Sequence, residues 1–142
     1  MALFPSDEWL SLYRDLINAS EEYREAAQTW EGDIAFVLEA EPDRGVPDEL
    51  AACIDLWHGE CRGARMIAAD EGGDAAYGIR APYSRWQEVL RGEIDPVKGM
   101  VQGKLKLRGD LAAIVRHVRA AKELVRLTTL VPTEFMGDGS AS

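Results

Sequence analysis

Apolar residues in the first part of the chain recur at the spacing of an amphipathic helix. Asp7 is a residue type that caps helices, so we expect a helix to begin there. Its buried stripe would consist of Trp9, Leu12, Tyr13, Leu16 and Ile17. Ser20 is a second capping residue, and it predicts that the helix restarts or continues as far as Trp30.

From residue 33 onward the pattern changes to alternation, which is typical of half-buried strands. In the first alternating segment Ile34, Phe36 and Leu38 share one face, with Glu39 on the other. Proline, glycine and charged residues mark loops between such segments, and Gly59 separates two of them as a hairpin would. These signals predict strands over residues 33–40, 52–58, 62–69 and 76–80.

The rest of the chain returns mostly to helical spacing. Ser84 is expected to cap a helix that Gly92 ends, and Asp95, followed by Pro96, is expected to cap a short one. Residues 103–110, with the sequence GKLKLRGD, alternate strictly and predict a fifth strand. Asp110 then caps a last helix of roughly four turns with an apolar stripe of Leu111, Ile114, Val115, Val118 and Val125.

This order of elements predicts an α+β fold with a five-stranded, mainly antiparallel sheet and helices packed on one face. A length of 142 residues is that of one domain, so we expect residues 1–142 to form a single unit that ends in a short polar tail at 133–142. No apolar run reaches the roughly 18 residues of a membrane span. The amino terminus is too short and too acidic for a secretory signal, and two cysteines are too few for a disulfide scaffold. A cytoplasmic protein is therefore expected.

The net charge of −9 argues against a nucleic-acid partner, since such proteins usually present a basic face. The charge is unevenly placed: residues 1–50 hold 13 acidic and 3 basic side chains, whereas residues 98–127 hold 2 acidic and 8 basic ones. Two interpretations stay open. The two regions are solvated faces that attract each other, or the basic flank of the last helix binds an anionic head group. The candidates for the second role are Arg116, Arg119, Lys122 and Arg126.

No motif in the chain predicts catalysis or metal binding. The segment 99–105 departs from a phosphate-binding loop, because three residues rather than four separate its glycines and Leu105 follows the lysine. Cys53, His58 and Cys61 lack the spacing of a zinc site and are better explained as residues of a hairpin. No serine lies in a GxSxG elbow. We therefore expect no catalytic group, no metal and no cofactor.

A large set of apolar residues is expected to converge on one face of the sheet. Composition alone favours the simple explanation that this set is a filled core. The set consists of Phe36, Leu38, Ile54, Leu56, Met66, Tyr77, Ile79, Leu105 and Leu107, faced by Trp86, Leu90, Met100 and Val101.

Residues 95–116, DPVKGMVQGKLKLRGDLAAIVR, resemble the signature of the sterol carrier protein 2 family of nonspecific lipid-transfer proteins. The matching positions are Gln102, Gly103, Lys104, Leu105, Lys106, Gly109 and Asp110. The resemblance extends over about 80 residues, from the second strand to the last helix. It implies a five-stranded sheet with helices over one face, and an apolar tunnel lined by the residues named above, with Phe135 and Met136 left to cover its mouth. Leu105 and Leu107 would then point into the tunnel, and Lys104, Lys106 and Arg108 away from it.

The first functional hypothesis is a protein that binds a lipid noncovalently, with transfer of that lipid as a further expectation. The resemblance implies a fatty acid, acyl-CoA, phospholipid or sterol as ligand, and transient contact with an anionic membrane. The alternative is a protein-interaction or accessory domain with a filled core and no lipid. A third hypothesis is an enzyme that acts on an acyl or sterol substrate.

Overall fold

The computed structural model describes residues 1–137, and its helices and strands follow the predicted order with one additional strand at each end. The strands are β1 (Ala2–Phe4), β2 (Glu31–Glu39), β3 (Leu50–Trp57), β4 (Glu60–Ile67), β5 (Tyr77–Pro82), β6 (Lys106–Arg108) and β7 (Thr133–Phe135). The helices are α1 (Asp7–Ala19), α2 (Glu21–Ala26), α3 (Tyr83–Leu90), α4 (Pro96–Val101), α5 (Leu111–Arg116) and α6 (Val118–Thr128). Short 3-10 turns cover Pro42–Arg44 and Ala69–Asp74.

The main sheet has five strands in the order β4-β3-β2-β5-β6. All neighbours are antiparallel except β2 and β5, which are parallel. The chain reverses direction from β2 to β3 and again from β3 to β4, and it then crosses to the other edge of β2, where β5 runs in the direction of β2 and β4. The predicted α+β fold is confirmed, with this one parallel pair in a mainly antiparallel sheet. The helices cover the face that carries Ile34, Phe36 and Leu38. The 3-10 turn at 69–74 lies on the opposite face, where Gly72 lies close to Val37.

Strands β1 and β7 were not predicted, and they join the two ends of the described chain in a separate parallel pair. The phenol of Tyr83, buried at the start of α3, donates a hydrogen bond to the Phe4 carbonyl at 2.6 Å and accepts one from the Met136 N–H at 2.9 Å. Residues 133–135, expected in a polar tail, are therefore a strand. Of the remaining tail, residues 138–142 lie outside the described part of the chain.

Three of the five predicted helix caps are confirmed and two are wrong. The side chains of Ser20, Asp95 and Asp110 accept hydrogen bonds from the first turns of α2, α4 and α5. At α1 the cap is Ser6, whose hydroxyl accepts from the Trp9 N–H, because Asp7 instead accepts from the Met66 N–H of β4. At α3 the cap position is Pro82, and the helix begins at Tyr83 without a side-chain cap.

The predicted last helix is interrupted at His117, where the backbone leaves helical geometry with φ −114° and ψ 34°. His117 Nδ1 lies 2.8 Å from the Ala113 carbonyl, and Nε2 lies 2.9 Å from the Thr29 hydroxyl. The ring also contacts Trp30 edge to face. These contacts hold the break against the start of β2, and α6 leaves from it across the helix-covered face of the sheet.

Candidate functional site

The interior holds a cavity of about 110 Å³ between the sheet and the helices α1, α3, α4 and α6. Its floor is the row Ile34, Phe36 and Leu38 of β2, flanked by side chains of β3 and β5. Aromatic rings from α1 and α3 and aliphatic side chains from α6 form its walls. No Asp, Glu, Lys or Arg side chain belongs to the lining drawn from residues 1–137. The cavity is therefore suited to apolar contents.

Eight of the fifteen residues expected to line a tunnel do line this cavity. They come from strands β2, β3 and β5, from helices α3 and α4, and from the turn that precedes β6. The eight are Phe36, Leu38, Leu56, Ile79, Trp86, Leu90, Met100 and Leu105.

The other seven lie elsewhere, and Val101 is the clearest correction. Val101 is the last residue of α4 and is 66% exposed, because the helix turns this side outward before the chain continues to Gly103. Leu107 is half-buried beside its register partner Ile79, at the sheet edge and outside the cavity lining. Phe135 contacts Phe4 edge to face, and of these two rings only Phe4 lines the cavity. The others, Ile54, Met66, Tyr77 and Met136, pack in or against the core without lining the cavity.

The amino-terminal segment supplies much of the lining that was not predicted. Its contribution consists of Phe4, Pro5, Trp9, Leu10, Tyr13, Tyr23 and Trp30. Trp9 and Tyr13 belong to the apolar stripe that predicted α1, so the pattern identified them as buried but gave no indication of what they face. Phe4 and Pro5 gave no signal, because the pairing of β1 with β7 is a long-range contact.

Nearly all polar atoms in the cavity wall are bound by the protein itself. Trp9 Nε1 donates to the Thr133 hydroxyl at 2.9 Å, and the Tyr13 hydroxyl donates to the Leu124 carbonyl at 2.8 Å. The remaining bonds of this kind are Trp30 Nε1 to the Gly32 carbonyl, Trp86 Nε1 to the Val37 carbonyl, the Thr128 hydroxyl to the Val125 carbonyl, and the two His117 contacts described above. Burial raises the pKa of Tyr13 well above its usual value, so this phenol stays neutral.

The four cations proposed as head-group ligands all lie near carboxylates of the protein. Arg119 donates to both carboxylate oxygens of Glu22 on α2 and lies 3.5 Å from Glu25. Arg126 donates to both oxygens of Glu123. Lys122 lies 3.9 Å from Asp95, and Arg116 lies 4.0 Å from Asp110. The two oppositely charged regions of the sequence therefore meet in part, where α6 crosses α2.

Glu123 is the one buried carboxylate among residues 1–137, and its side chain is 4% exposed. It accepts from Arg126 and, at 2.6 Å, from the Ser20 hydroxyl that caps α2. These hydrogen bonds, Arg126 first, hold the pKa of Glu123 below its usual value. Glu123 therefore joins α6 to the start of α2 as a fully ionised group at neutral pH.

Residues 1–137 contain no group of three or more His, Cys, Asp or Glu side chains that could hold a metal ion. Burial raises the pKa of the Cys53 and Cys61 thiols to about 11, so neither is a thiolate at neutral pH. Within the same residues no helix is long and apolar enough to cross a membrane.

The profile of the SCP-2 sterol transfer family matches residues 13–122. A search of curated proteins gave no match.

Two of the matching structures resemble the chain in sequence as well as in fold. A crystal structure of sterol carrier protein 2 is 40% identical over 89% of this chain and 97% of its own, with a TM-score of 0.81. The solution structure of a conserved hypothetical protein of Thermus thermophilus is 39% identical over 91% and 90%, with a TM-score of 0.80. Sterol Carrier Protein 2 of Yarrowia lipolytica, in its apo form, is 18% identical over 88% and 92%, with a TM-score of 0.58, and shares the fold.

Proposed function

The chain belongs to the SCP-2 sterol transfer family, and from this membership we propose that it binds one lipid molecule noncovalently in the cavity between sheet and helices. The observation that supports this most strongly is the character of the wall, which is aromatic and aliphatic and carries no charged side chain among the described residues. Such a wall retains a hydrocarbon chain by burial alone. The ligand classes proposed are a fatty acid, an acyl-CoA, a phospholipid or a sterol.

The energetics favour a long chain. Each buried methylene contributes about 0.8 kcal/mol, so a chain of 16 carbons offers roughly 10 kcal/mol or more before the costs of association. After those costs, dissociation constants on the order of micromolar to nanomolar are expected. Because burial has no directional requirement, the site would select its ligand mainly by length and shape.

The volume of the cavity requires that it widens on binding. Ligand pockets usually measure about 300–1,000 Å³, whereas this one measures about 110 Å³. Met100, Leu124 and Val125 are half-buried lining residues of α4 and α6. Methionine is flexible enough to repack, so we propose that the space between α4 and α6 opens to accept the chain.

Contact with an anionic membrane is proposed to depend more on three lysines than on the four cations of the last helices, which lie near carboxylates of the protein. Lys98, Lys104 and Lys106 are exposed and form no ion pair with any residue of 1–137, so their charges are not neutralised by the protein. Unpaired surface cations attract an anionic surface mainly by raising the encounter rate.

Native mass spectrometry of the purified protein tests the proposal. Retained lipid should appear as a mass increment of one ligand per chain, removable by organic extraction and restored by incubation with the same lipid. A protein that carries no lipid and takes up none from a panel of the four proposed classes would contradict it.

An accessory or protein-interaction role is the second candidate, and the small volume of the cavity favours it. A core with about 110 Å³ of free space needs no ligand to be stable. The two candidates differ in their response to cavity filling, because only a lipid-binding protein loses an activity when free space is occupied.

A further inference from the structure

One polar side chain of the cavity lining has no hydrogen-bond partner among residues 1–137, and it is the phenol of Tyr23. Its backbone N–H donates to the Ser20 hydroxyl at 3.0 Å, but its own hydroxyl forms no bond, whereas the other six polar side chains of the lining are all bonded. Tyr23 is 1% exposed, so almost all of its side chain is buried.

The Tyr23 hydroxyl borders accessible space. Among the described residues, every side-chain nitrogen or oxygen that is completely inaccessible has a hydrogen-bond partner. The unbonded oxygen of Tyr23 must therefore border open space, and the cavity is the space that this side chain lines. Burial raises the pKa of Tyr23, and the nearby thiol of Cys61 adds to this, so the hydroxyl remains a neutral donor.

An unbonded buried hydroxyl is costly, and water is a poor remedy at this position. A buried water usually needs two to four polar partners, and the other polar side chains of this wall already bind to the protein. The side-chain donors of the neighbouring wall are already in use, so they offer a water beside Tyr23 little compensation. A ligand oxygen would accept the hydrogen bond from Tyr23 without this cost, because the hydrocarbon part of the same ligand would pack against the apolar rest of the wall.

We propose that the Tyr23 hydroxyl donates a hydrogen bond to a neutral oxygen, an alcohol or an ester carbonyl, of the lipid in the cavity. This inference rests on the proposed function and narrows it to lipids that carry such an oxygen into the interior.

A neutral oxygen fits the surroundings better than a carboxylate. The lining from the described residues offers no Lys or Arg to balance a negative charge. A buried anion here would therefore lack a counterion.

The test compares 1-decanol with 1-chlorodecane, which have the same chain length and differ in whether the terminal atom accepts a strong hydrogen bond. Tyr23→Phe removes only the hydroxyl. Tyr13→Phe is the matched control, since its ring lines the same cavity but its hydroxyl already binds the Leu124 carbonyl. Binding is followed by isothermal titration and stability by thermal unfolding.

Wild type should bind decanol about five- to tenfold more tightly than chlorodecane, which is the range expected of one hydrogen bond. Tyr23→Phe should lose this preference while keeping its affinity for chlorodecane, and without ligand it should be at least as stable as wild type. Tyr13→Phe should keep the preference and unfold at a lower temperature.

Three results would overturn the inference. The first is an equal decanol affinity in wild type and Tyr23→Phe, and the second is an equal loss of affinity for decanol and chlorodecane in Tyr23→Phe. Either result would show that the hydroxyl does not bind the ligand, and it would leave the proposed function intact. Failure of wild type to bind either probe would overturn the inference together with the proposed function.

Discussion

Leu105 reaches the cavity because Gly99, on the last turns of α4, has no side chain in its way. The Leu105 N–H donates to the Gly99 carbonyl at 3.1 Å, and a Cβ on Gly99 would stand 3.2 Å from Leu105 Cδ1 and 3.1 Å from Ile94 Cγ2. Leu105 itself is 2% exposed and lines the cavity. This contact fixes how α4 and the turn into β6 share the cavity wall.

Gly99→Ala should therefore alter ligand binding more than stability. Alanine gains up to about 1 kcal/mol of helix propensity over glycine, and this gain offsets the crowding of Leu105 and Ile94. We expect the free energy of unfolding to change by less than about 1 kcal/mol and the affinity for a fluorescent fatty acid to fall by about threefold or more, or roughly 0.6 kcal/mol. Lys98→Ala, on the exposed side of the same helix, is the control for propensity alone. If the affinity of Gly99→Ala were unchanged, ligand binding would not depend on the position of the Leu105 side chain.

Filling the cavity should abolish binding at little cost in stability. Ala120 lies on α6, is buried and lines the cavity, so the larger side chain of Ala120→Leu would project toward the free space. We expect at least a tenfold loss of affinity with little change in the free energy of unfolding, measured by titration and by urea denaturation. Ala112→Leu, on the exposed side of α5, should change neither. A destabilisation of about 1–3 kcal/mol in Ala120→Leu would indicate an overpacked, filled core.

The ion pair of Glu123 should make the free energy of unfolding depend on pH in the acidic range. Its pKa in the folded protein lies below the ordinary value of 4.5, so its contribution is complete above pH 4.5 and is lost as the pH falls through the folded value. Glu123→Gln should be less stable than wild type by about 1–3 kcal/mol at pH 7, the range for a charge-assisted hydrogen bond. The two proteins should converge as the pH falls below 4.5.

Glu134→Gln is the control for that experiment, because Glu134 is exposed on β7 and takes part in no ion pair with the described residues. Urea denaturation at pH 7 and at pH 3.5 measures both variants. A Glu123→Gln protein that differs from wild type by the same amount at both values would show that the side chain acts by packing and not by its charge.

Delivery of lipid to anionic vesicles should depend on unpaired lysines. Changing Lys98 and Lys104 to Gln should slow transfer of a fluorescent lipid into phosphatidylserine-containing vesicles by about threefold at low salt, and the difference should shrink at high salt. The control deletes the Arg119–Glu22 pair by changing both residues to Gln, which leaves the net charge unchanged. If the control slows transfer and the lysine variant does not, the paired surface of α6 is the one that meets the membrane.

Local patterns predicted the elements well, because helical and alternating spacing are properties of short segments. The alternation in 33–40 placed Phe36 and Leu38 in the cavity floor correctly. The same rule misled at Leu107, since the strand begins only at Lys106 and Leu105 belongs to the turn after α4. Alternation across that boundary therefore carried no information about which side chains reach the cavity.

The remaining errors have a common cause in long-range contacts. The helix break at His117 depends on Thr29 and Trp30, about ninety positions earlier in the chain. The β1–β7 pair depends on a hydroxyl of Tyr83 that binds both ends. The sequence did not identify Tyr23 as a cavity residue. Whether its hydroxyl has a hydrogen-bond partner depends on residues that only the fold brings near it.

Quenching of tryptophan fluorescence by methyl 9,10-dibromostearate, whose ester carbonyl is a neutral oxygen, tests lipid binding in the cavity most directly. Bromine quenches tryptophan on contact, and three of the four tryptophans, Trp9, Trp30 and Trp86, line the cavity, while Trp57 lies outside it, stacked on His58. We predict saturable quenching with a stoichiometry of one that persists in Trp57→Phe and is lost in Ala120→Leu. No saturable quenching up to the solubility limit, or quenching that disappears with Trp57, would contradict the proposal that the cavity binds lipid.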